Sequence, residues 1–413
     1  MKLFTTENGK NYAFTFALVT TLFLLWGFCN GLIDVLNKHF QDSLHITKAQ
    51  SGLVQSANYF GYFLMAIPAG LLAKRFGYKG GIIIGLMLIA AGAFWFIPAT
   101  RIGTYPAFLT GLFILATGLT CLETIANPYT TVLGPPESGA TRINLAQTGN
   151  GVGWVLGPIV GGRLIFGSGG EGASAGNETL YLPYLGIGIA VAVIGVVFLF
   201  ADVPDLHAEE EFVAEAAGAS TKPLYLRHHF TLAVLAQFLY VAAQTGVFSF
   251  FVNYILENVA GVDKLKASQW LGVGGFGLFM LGRLCGSVVV SATKPQRALA
   301  TYAFINVALT GLALAGLGWG SVIALFGIFF FMSIMFPTIF ALGIRGLGEH
   351  TKLASSLIVM SIVGGALAPP LMGWIADRYN MRLGFIVPLV CFVGVGLYGI
   401  FWRRLEAREA AAH

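Results

Sequence analysis

The chain has 413 residues, of which 56% are hydrophobic and only 10% charged, and its mean hydropathy is +0.77. Soluble domains carry about a quarter charged residues, so a water-soluble globule is excluded. A net charge of +5, scattered without basic runs, excludes a nucleic-acid-binding surface.

Crossing about 30 Å of hydrocarbon takes about 20 helical residues at 1.5 Å each. Apolar runs of that kind begin near Tyr12, Gly52, Gly80, Tyr105, Ile143 and Leu180. The first follows a segment with Lys2, Glu7 and Lys10, and no small-residue cleavage site stands behind it, so it reads as a retained helix. A hydrophilic stretch from Asp202 to Arg227 follows, holding Glu209, Glu210, Glu211 and Glu215, and predicts a solvated linker. A second series of apolar runs begins near Phe230, Leu265, Ala298, Ser321, Ala354 and Leu383. The expected fold class is an all-α membrane protein with twelve transmembrane helices in two pseudo-symmetric six-helix bundles. Residues 1–201 form the first bundle, 202–227 the linker and 228–413 the second bundle.

A weak repeat supports the two-bundle reading. Ala66 and Gly70 precede Arg75 and Lys79 much as Gly282 and Gly286 precede Lys294 and Arg297. Helices five and eight are both rich in glycine, which lets helix backbones approach closely, and each is second in its three-helix unit. With the N-terminus inside, basic residues concentrate on the inner loops, including Arg75 and Lys79 after helix two and Arg403, Arg404 and Arg408 after helix twelve. Both termini are therefore expected in the cytoplasm, with the chain in a bacterial-type inner membrane.

Asp34 in helix one and Glu123 in helix four are the acids well inside apolar runs. A charge at mid-bilayer costs about 3 kcal/mol, and such groups usually face a cavity or a partner and mark an ion or substrate path. The plain alternative is a structural carboxyl bonded to a neighbouring helix. Burial disfavours the charged form, so such a group can carry a proton. Both are assigned to ion coupling. Counting the spans puts Asp34 toward the outer face and Glu123 central to inner.

Neutral polar residues recur at helical spacing around them. Gln55, Asn58, Tyr59 and Tyr62 form one stripe on helix two. Asn144, Gln147 and Asn150 follow on helix five, Gln237, Tyr240 and Gln244 on helix seven, and Asn127 lies one turn beyond Glu123. Amides and phenols offer donors and acceptors without charge, which suits a hydroxyl-covered neutral ligand such as a sugar. Trp26, Phe28, Phe248, Phe250 and Phe336 can supply flat apolar faces, although packing is the plainer role for each aromatic alone. Interhelical hydrogen bonding is the plain alternative for each amide.

Cys29, Cys121, Cys285 and Cys391 stand singly in apolar sequence, so neither disulfides nor a metal site is expected. No Walker A, GxSxG, HExxH or dinucleotide-binding glycine pattern occurs, so neither an enzyme nor an ATP-driven pump is expected, and no cofactor.

Several longer stretches carry a resemblance. They are Gln55-Ser56-Ala57-Asn58-Tyr59-Phe60-Gly61-Tyr62-Phe63, Cys121-Leu122-Glu123-Thr124 with Ala126-Asn127-Pro128, and Asn144-Leu145-Ala146-Gln147-Thr148. In the second half, Ala236-Gln237-Phe238, Ala243-Gln244-Thr245 and Pro337-Thr338-Ile339-Phe340 match as well. Over nearly the whole chain the sequence resembles the sugar symporters of the major facilitator superfamily typified by the bacterial L-fucose/proton permease group. The resemblance implies alternating access, coupling carboxyls at Asp34 and Glu123, and a sugar-lining helix five with Gln147 and Asn150. The group's Asn-Asn-Leu-Asn-Asp run reads Asn30-Gly31-Leu32-Ile33-Asp34 here, which keeps Asn30 and removes two amides. Lys74 stands where the superfamily usually has an acid, and the permease group is also basic there.

The expectation is import of a neutral monosaccharide, a hexose such as glucose or galactose, or fucose, by proton symport. Helices one, two, four, five and seven would bind the sugar, and the protein would act as a monomer among membrane lipid. Sodium coupling, or a uniporter or exporter of the same fold, is the alternative.

Overall fold

The computed structural model describes residues 4–5, 11–134, 139–166, 180–201, 203, 224–345, 347 and 351–410, and these are helical almost throughout. Hydrocarbon offers no water to backbone N–H and C=O groups, so a spanning chain must bond them within its own helices. The first half runs α1 (Ala13–Ser43), α2 (Lys48–Ser51), α3 (Leu53–Ile102), α4 (Tyr105–Val132), α5 (Gly139–Phe166) and α6 (Tyr181–Phe200). The second half runs α7 (His228–Asn258), α8 (Lys264–Gln269), a π-helical segment Trp270–Phe276, α9 (Gly277–Ala292), α10 (Pro295–Ala315), α11 (Trp319–Met332) and α12 (Met335–Ile344). It ends with α13 (Thr351–Met360), α14 (Gly364–Arg378), α15 (Met381–Gly384) and α16 (Ile386–Ala410).

Among the described residues, nine helical stretches are long and apolar enough to cross a membrane. The other expected spans are the start of α3, with Gln55, Asn58 and Tyr59, the glycine-rich α5, and helix eight, which is broken by the π segment. Their polar and glycine residues lower their hydropathy. Together these make the twelve helices. Helices two and three are both contained in α3, which breaks at Gly77 with φ +70° and ψ −179°, a backbone conformation that glycine adopts without steric cost. Lys79 Nζ then donates to the Ala201 carbonyl at 2.9 Å, tying the start of helix three to the end of helix six. Large apolar side chains stay exposed, with Phe200 at 86%, as a lipid-facing surface requires.

The chain divides into two compact units, Met1–Ile46 with Ala57–Glu209, and Thr47–Ser56 with Glu210–His413. A division at 201 and 227 would leave Thr47–Ser56 in the first half, but this segment packs into the second unit. Asp377 accepts from the Lys48 and Ala49 N–H groups at 2.9 and 2.8 Å, and the Lys48 ammonium pairs with Glu257 at 2.5 Å. Gly52 lies against the Pro369–Pro370 backbone, and Ser56 Oγ donates to the Ala366 carbonyl. Of the expected linker, residues 202 and 204–223 lie outside the described residues.

The repeat seen faintly in sequence is explicit in the packing. In the first unit, Gly61 on helix two meets the Phe113 carbonyl and Ala116 on helix four, and Gly153 on helix five meets the Leu24 carbonyl on helix one. In the second unit, Gly282 on helix eight meets the Phe330 carbonyl on helix ten, and Gly364 on helix eleven meets the Phe238 carbonyl on helix seven. Each time, a glycine on the middle helix of a three-helix unit seats against a carbonyl on the first helix of another. This is the pattern of duplicated halves.

Candidate functional site

Helix one is positioned by a glycine seam. Gly27 and Gly31 face the carbonyls of Asn150 and Trp154, while Gly153 and Gly157 face the backbone of Leu24, Phe28 and Leu32. A Cβ at Gly27 would collide with the Asn150 carbonyl, so the approach depends on glycine. The seam fixes which residues of α1 point elsewhere.

One such set is bonded to α3. The Trp26 indole Nε1–H donates to the Tyr62 hydroxyl at 2.5 Å, and Asn30 Nδ2 donates to the Trp26 carbonyl at 2.9 Å. Asn58 Nδ2 reaches Asn30 Oδ1 at 3.4 Å, and the Tyr62 hydroxyl also bonds the Asn30 side chain. Tyr59 lies beside Tyr62 with ring centroids 6.2 Å apart, and Trp26 meets Trp154 edge-on at 6.2 Å. A second set joins α4 to α5, where Gln147 Nε2 donates to Asn127 Oδ1 at 3.2 Å and Asn127 Nδ2 donates to the Glu123 carbonyl at 2.9 Å. Asn150 is buried against α1. The side chain of Asn144 is outside those described.

The two carboxyls sit at different levels of the first unit. Phe40 near the end of α1 packs on Tyr105 and Phe108 at the start of α4, with centroids 5.5 and 5.2 Å apart, so the helices run antiparallel. At about 1.5 Å per residue, Asp34 lies about 9 Å from that level, Trp26 about 21 Å and Glu123 about 23–27 Å. Asp34 is enclosed, with 2% exposure. Glu123 is half-buried, and its carboxylate has neither a hydrogen bond nor an ion pair among the described residues.

In the second unit, Gln237 is fully buried and neither of its amide atoms has a partner among the described residues. Tyr240 is buried edge-on to Phe336 at 6.3 Å, and Gln244 is half-buried. Gln55 belongs to this unit, so the stripe it forms with Asn58 and Tyr59 divides between the two. Phe248 packs among Phe276, Phe279 and Phe329, and Phe250 is fully buried, so both serve the core.

The sequence profile of the Major Facilitator Superfamily matches residues 18–362. The chain belongs to that superfamily. It is 40% identical to the L-fucose-proton symporter of Escherichia coli (strain K12), across 95% of this chain and 94% of that protein. It is 35% identical to the glucose/galactose transporter of Brucella abortus biovar 1 (strain 9-941), across 96% and 95%. The crystal structure of FucP, a superfamily transporter in the outward conformation, superposes with a TM-score of 0.68 at 40% identity, covering 95% of this chain and 99% of that one. This superfamily member is thus a membrane-spanning transporter and not an enzyme.

Two residues stand out that sequence reasoning did not place in the site. Tyr62 lay on the helix-two stripe, and its link to Trp26 depends on how α1 and α3 are registered. Arg283, a cation within helix eight, holds its guanidinium 4.8 Å above the Phe279 ring and interacts electrostatically with Tyr240. Its place one turn beyond Phe279 was the available signal.

Proposed function

We propose that this protein imports a neutral monosaccharide together with a proton, by alternating access. The observation that carries the reading is Glu123, a half-buried carboxyl without a cation partner among the described residues, whose backbone carbonyl accepts from Asn127, which in turn accepts from the Gln147 amide. A carboxyl held this way is able to gain and lose a proton, and the neighbouring amides match sugar hydroxyls. The relatives named for L-fucose and for glucose/galactose support a sugar as cargo. A hexose such as glucose or galactose is the preferred cargo, because Gly31 is pressed against the Trp154 carbonyl where the fucose-type run carries an amide.

Protonation of a carboxyl from outside precedes sugar binding in this scheme, and the loaded carrier then reorients with little net charge in its interior. Release of the proton inside favours release of the sugar. Trp26, Asn30, Asn58, Tyr59, Asn127, Gln147 and Asn150 are the sugar-binding candidates of the first unit, and Gln55, Gln237, Tyr240 and Gln244 are those of the second. Asp34 and Glu123 carry the coupling. The carrier works as a monomer in an inner membrane with both termini cytoplasmic. A proton crossing 100 mV releases about 2.3 kcal/mol, enough for about fifty-fold accumulation.

Uptake of D-glucose, D-galactose and L-fucose into proteoliposomes under an imposed proton gradient tests this reading. Concentrative uptake should vanish in Asp34→Asn and Glu123→Gln while sugar exchange at equal pH persists. Undiminished accumulation in both variants, or accumulation that needs sodium, rules against it.

A further inference from the structure

Helix α5 has two opposite faces. Leu145, Val152 and Leu156 are exposed along one of them, as lipid-facing residues are. At about 100° per residue, Trp154 points about 160–180° away from all three, yet it is only half-buried. Its partial exposure therefore lies on the side away from lipid, where Asn150 and Gln147 stand one and two turns earlier on the same face. The backbone at Trp154 is pinned. Gly31 lies against its carbonyl, and the neighbouring Gly153 and Gly157 seat against Leu24, Phe28 and Leu32 of α1. Its indole meets the Trp26 indole with centroids 6.2 Å apart and ring planes at 73°. Trp26 is fixed in turn by its N–H bond to the Tyr62 hydroxyl. The two indoles form a steep corner, with Asn30 bonded to the Trp26 carbonyl on one arm and Asn150 and Gln147 along the other.

Indole faces are electron-rich and attract polarised C–H bonds. A pyranose offers such bonds on its faces and hydroxyls at its rim, so a corner of indoles flanked by amides matches it on both counts. In galactose the axial hydroxyl gathers three neighbouring ring hydrogens onto one face, whereas glucose alternates them between faces. We propose that Trp154 is a specificity-determining residue whose indole, with that of Trp26, receives the C–H face of the sugar and favours D-galactose over D-glucose. The amides bind hydroxyls that both sugars share, and the indole reads the one configuration in which they differ. The proposal rests on the reading of the cargo as a monosaccharide.

The test uses the full chain labelled with 5-fluorotryptophan, in detergent, with the Trp154 fluorine resonance assigned by its loss in Trp154→Phe. D-Galactose should move that resonance at lower concentration than D-glucose does, and L-glucose should leave it in place. Equal midpoints for the two D-sugars overturn the proposal. If sugars move other tryptophan resonances but not that of Trp154, the proposal fails while the sugar reading stands. If none of D-galactose, D-glucose and L-fucose moves any resonance, the sugar reading fails and the proposal with it.

In proteoliposomes Trp154→Leu should raise the KM for D-galactose exchange about three- to tenfold, the scale of one aromatic contact, and that for D-glucose about half as much or less. The maximal exchange rate should hold for both sugars. Trp154→Phe, which keeps a ring, should retain most of the preference. Equal rises in KM for the two sugars, or a lower maximal rate with the preference unchanged, would mark Trp154 as merely structural and overturn the proposal.

Discussion

In the first unit, Trp26, Asn30, Asn58 and Tyr62 bond one another, and Asn127 bonds Gln147, so these groups are held in place before any ligand arrives. In the second unit, Gln237 is as deeply enclosed but has neither amide atom bonded among the described residues, and the Thr245 hydroxyl two turns on has no partner either. A buried polar group left without a partner costs about 1–3 kcal/mol. The first unit therefore resembles a preformed receptor, while the second holds an unsatisfied amide whose cost a hydroxylated ligand would offset.

The largest expected effect is on coupling, and it is confined to the first unit. Glu123→Gln should reduce steady-state accumulation in proteoliposomes from about fifty-fold to none. Gln237→Leu should accumulate sugar normally once the external concentration saturates it. Equal loss in both would erase the distinction between the units.

Next in size is stability in the absence of sugar. Gln237→Leu should raise the midpoint of thermal unfolding in detergent, because it removes an unbonded amide worth about 1–3 kcal/mol, and should weaken sugar binding at least about fivefold. Asn58→Leu should lower the midpoint, since it strands the Asn30 side chain. A lower midpoint for Gln237→Leu would mean that its amide is already bonded in the resting protein. Gly27→Ala should cost about 1–3 kcal/mol by driving a methyl into the Asn150 carbonyl. Gly70→Ala, which meets nothing within 4 Å, is its control and should change little. The smallest effect belongs to the α2 anchor, where Asp377→Ala removes the acceptor for Lys48 and Ala49 N–H and should cost about 1 kcal/mol by the same thermal assay.

Much of the fold was legible because apolar runs of spanning length are a strong signal, and the polar positions that weakened helices two, five and eight were themselves the clue to the site. Helical spacing grouped Asn58, Tyr59 and Tyr62 on one face, yet it could not show that Gln55, one turn earlier, packs with the other unit. That depends on Asp377, Glu257 and Pro370, more than 200 residues away along the chain. Spacing also says which residues share a face but not what the face meets. The Trp26–Tyr62 bond follows from the register of α1 and α3, which the glycine seam with α5 helps to set. Phe248 and Phe250 were offered as sugar-facing rings and turned out to be core, as aromatic-rich helices lead one to expect of any single ring.

The central claim, that sugar and proton move together through Glu123, is tested most directly by the pH inside or outside proteoliposomes when sugar is added without any imposed gradient. With D-glucose, D-galactose or L-fucose the medium should become alkaline as protons follow the sugar inward, without sodium, and Glu123→Gln should abolish the signal while leaving sugar exchange. Sugar entry with no alkalinisation, or an unchanged signal in Glu123→Gln, would contradict it.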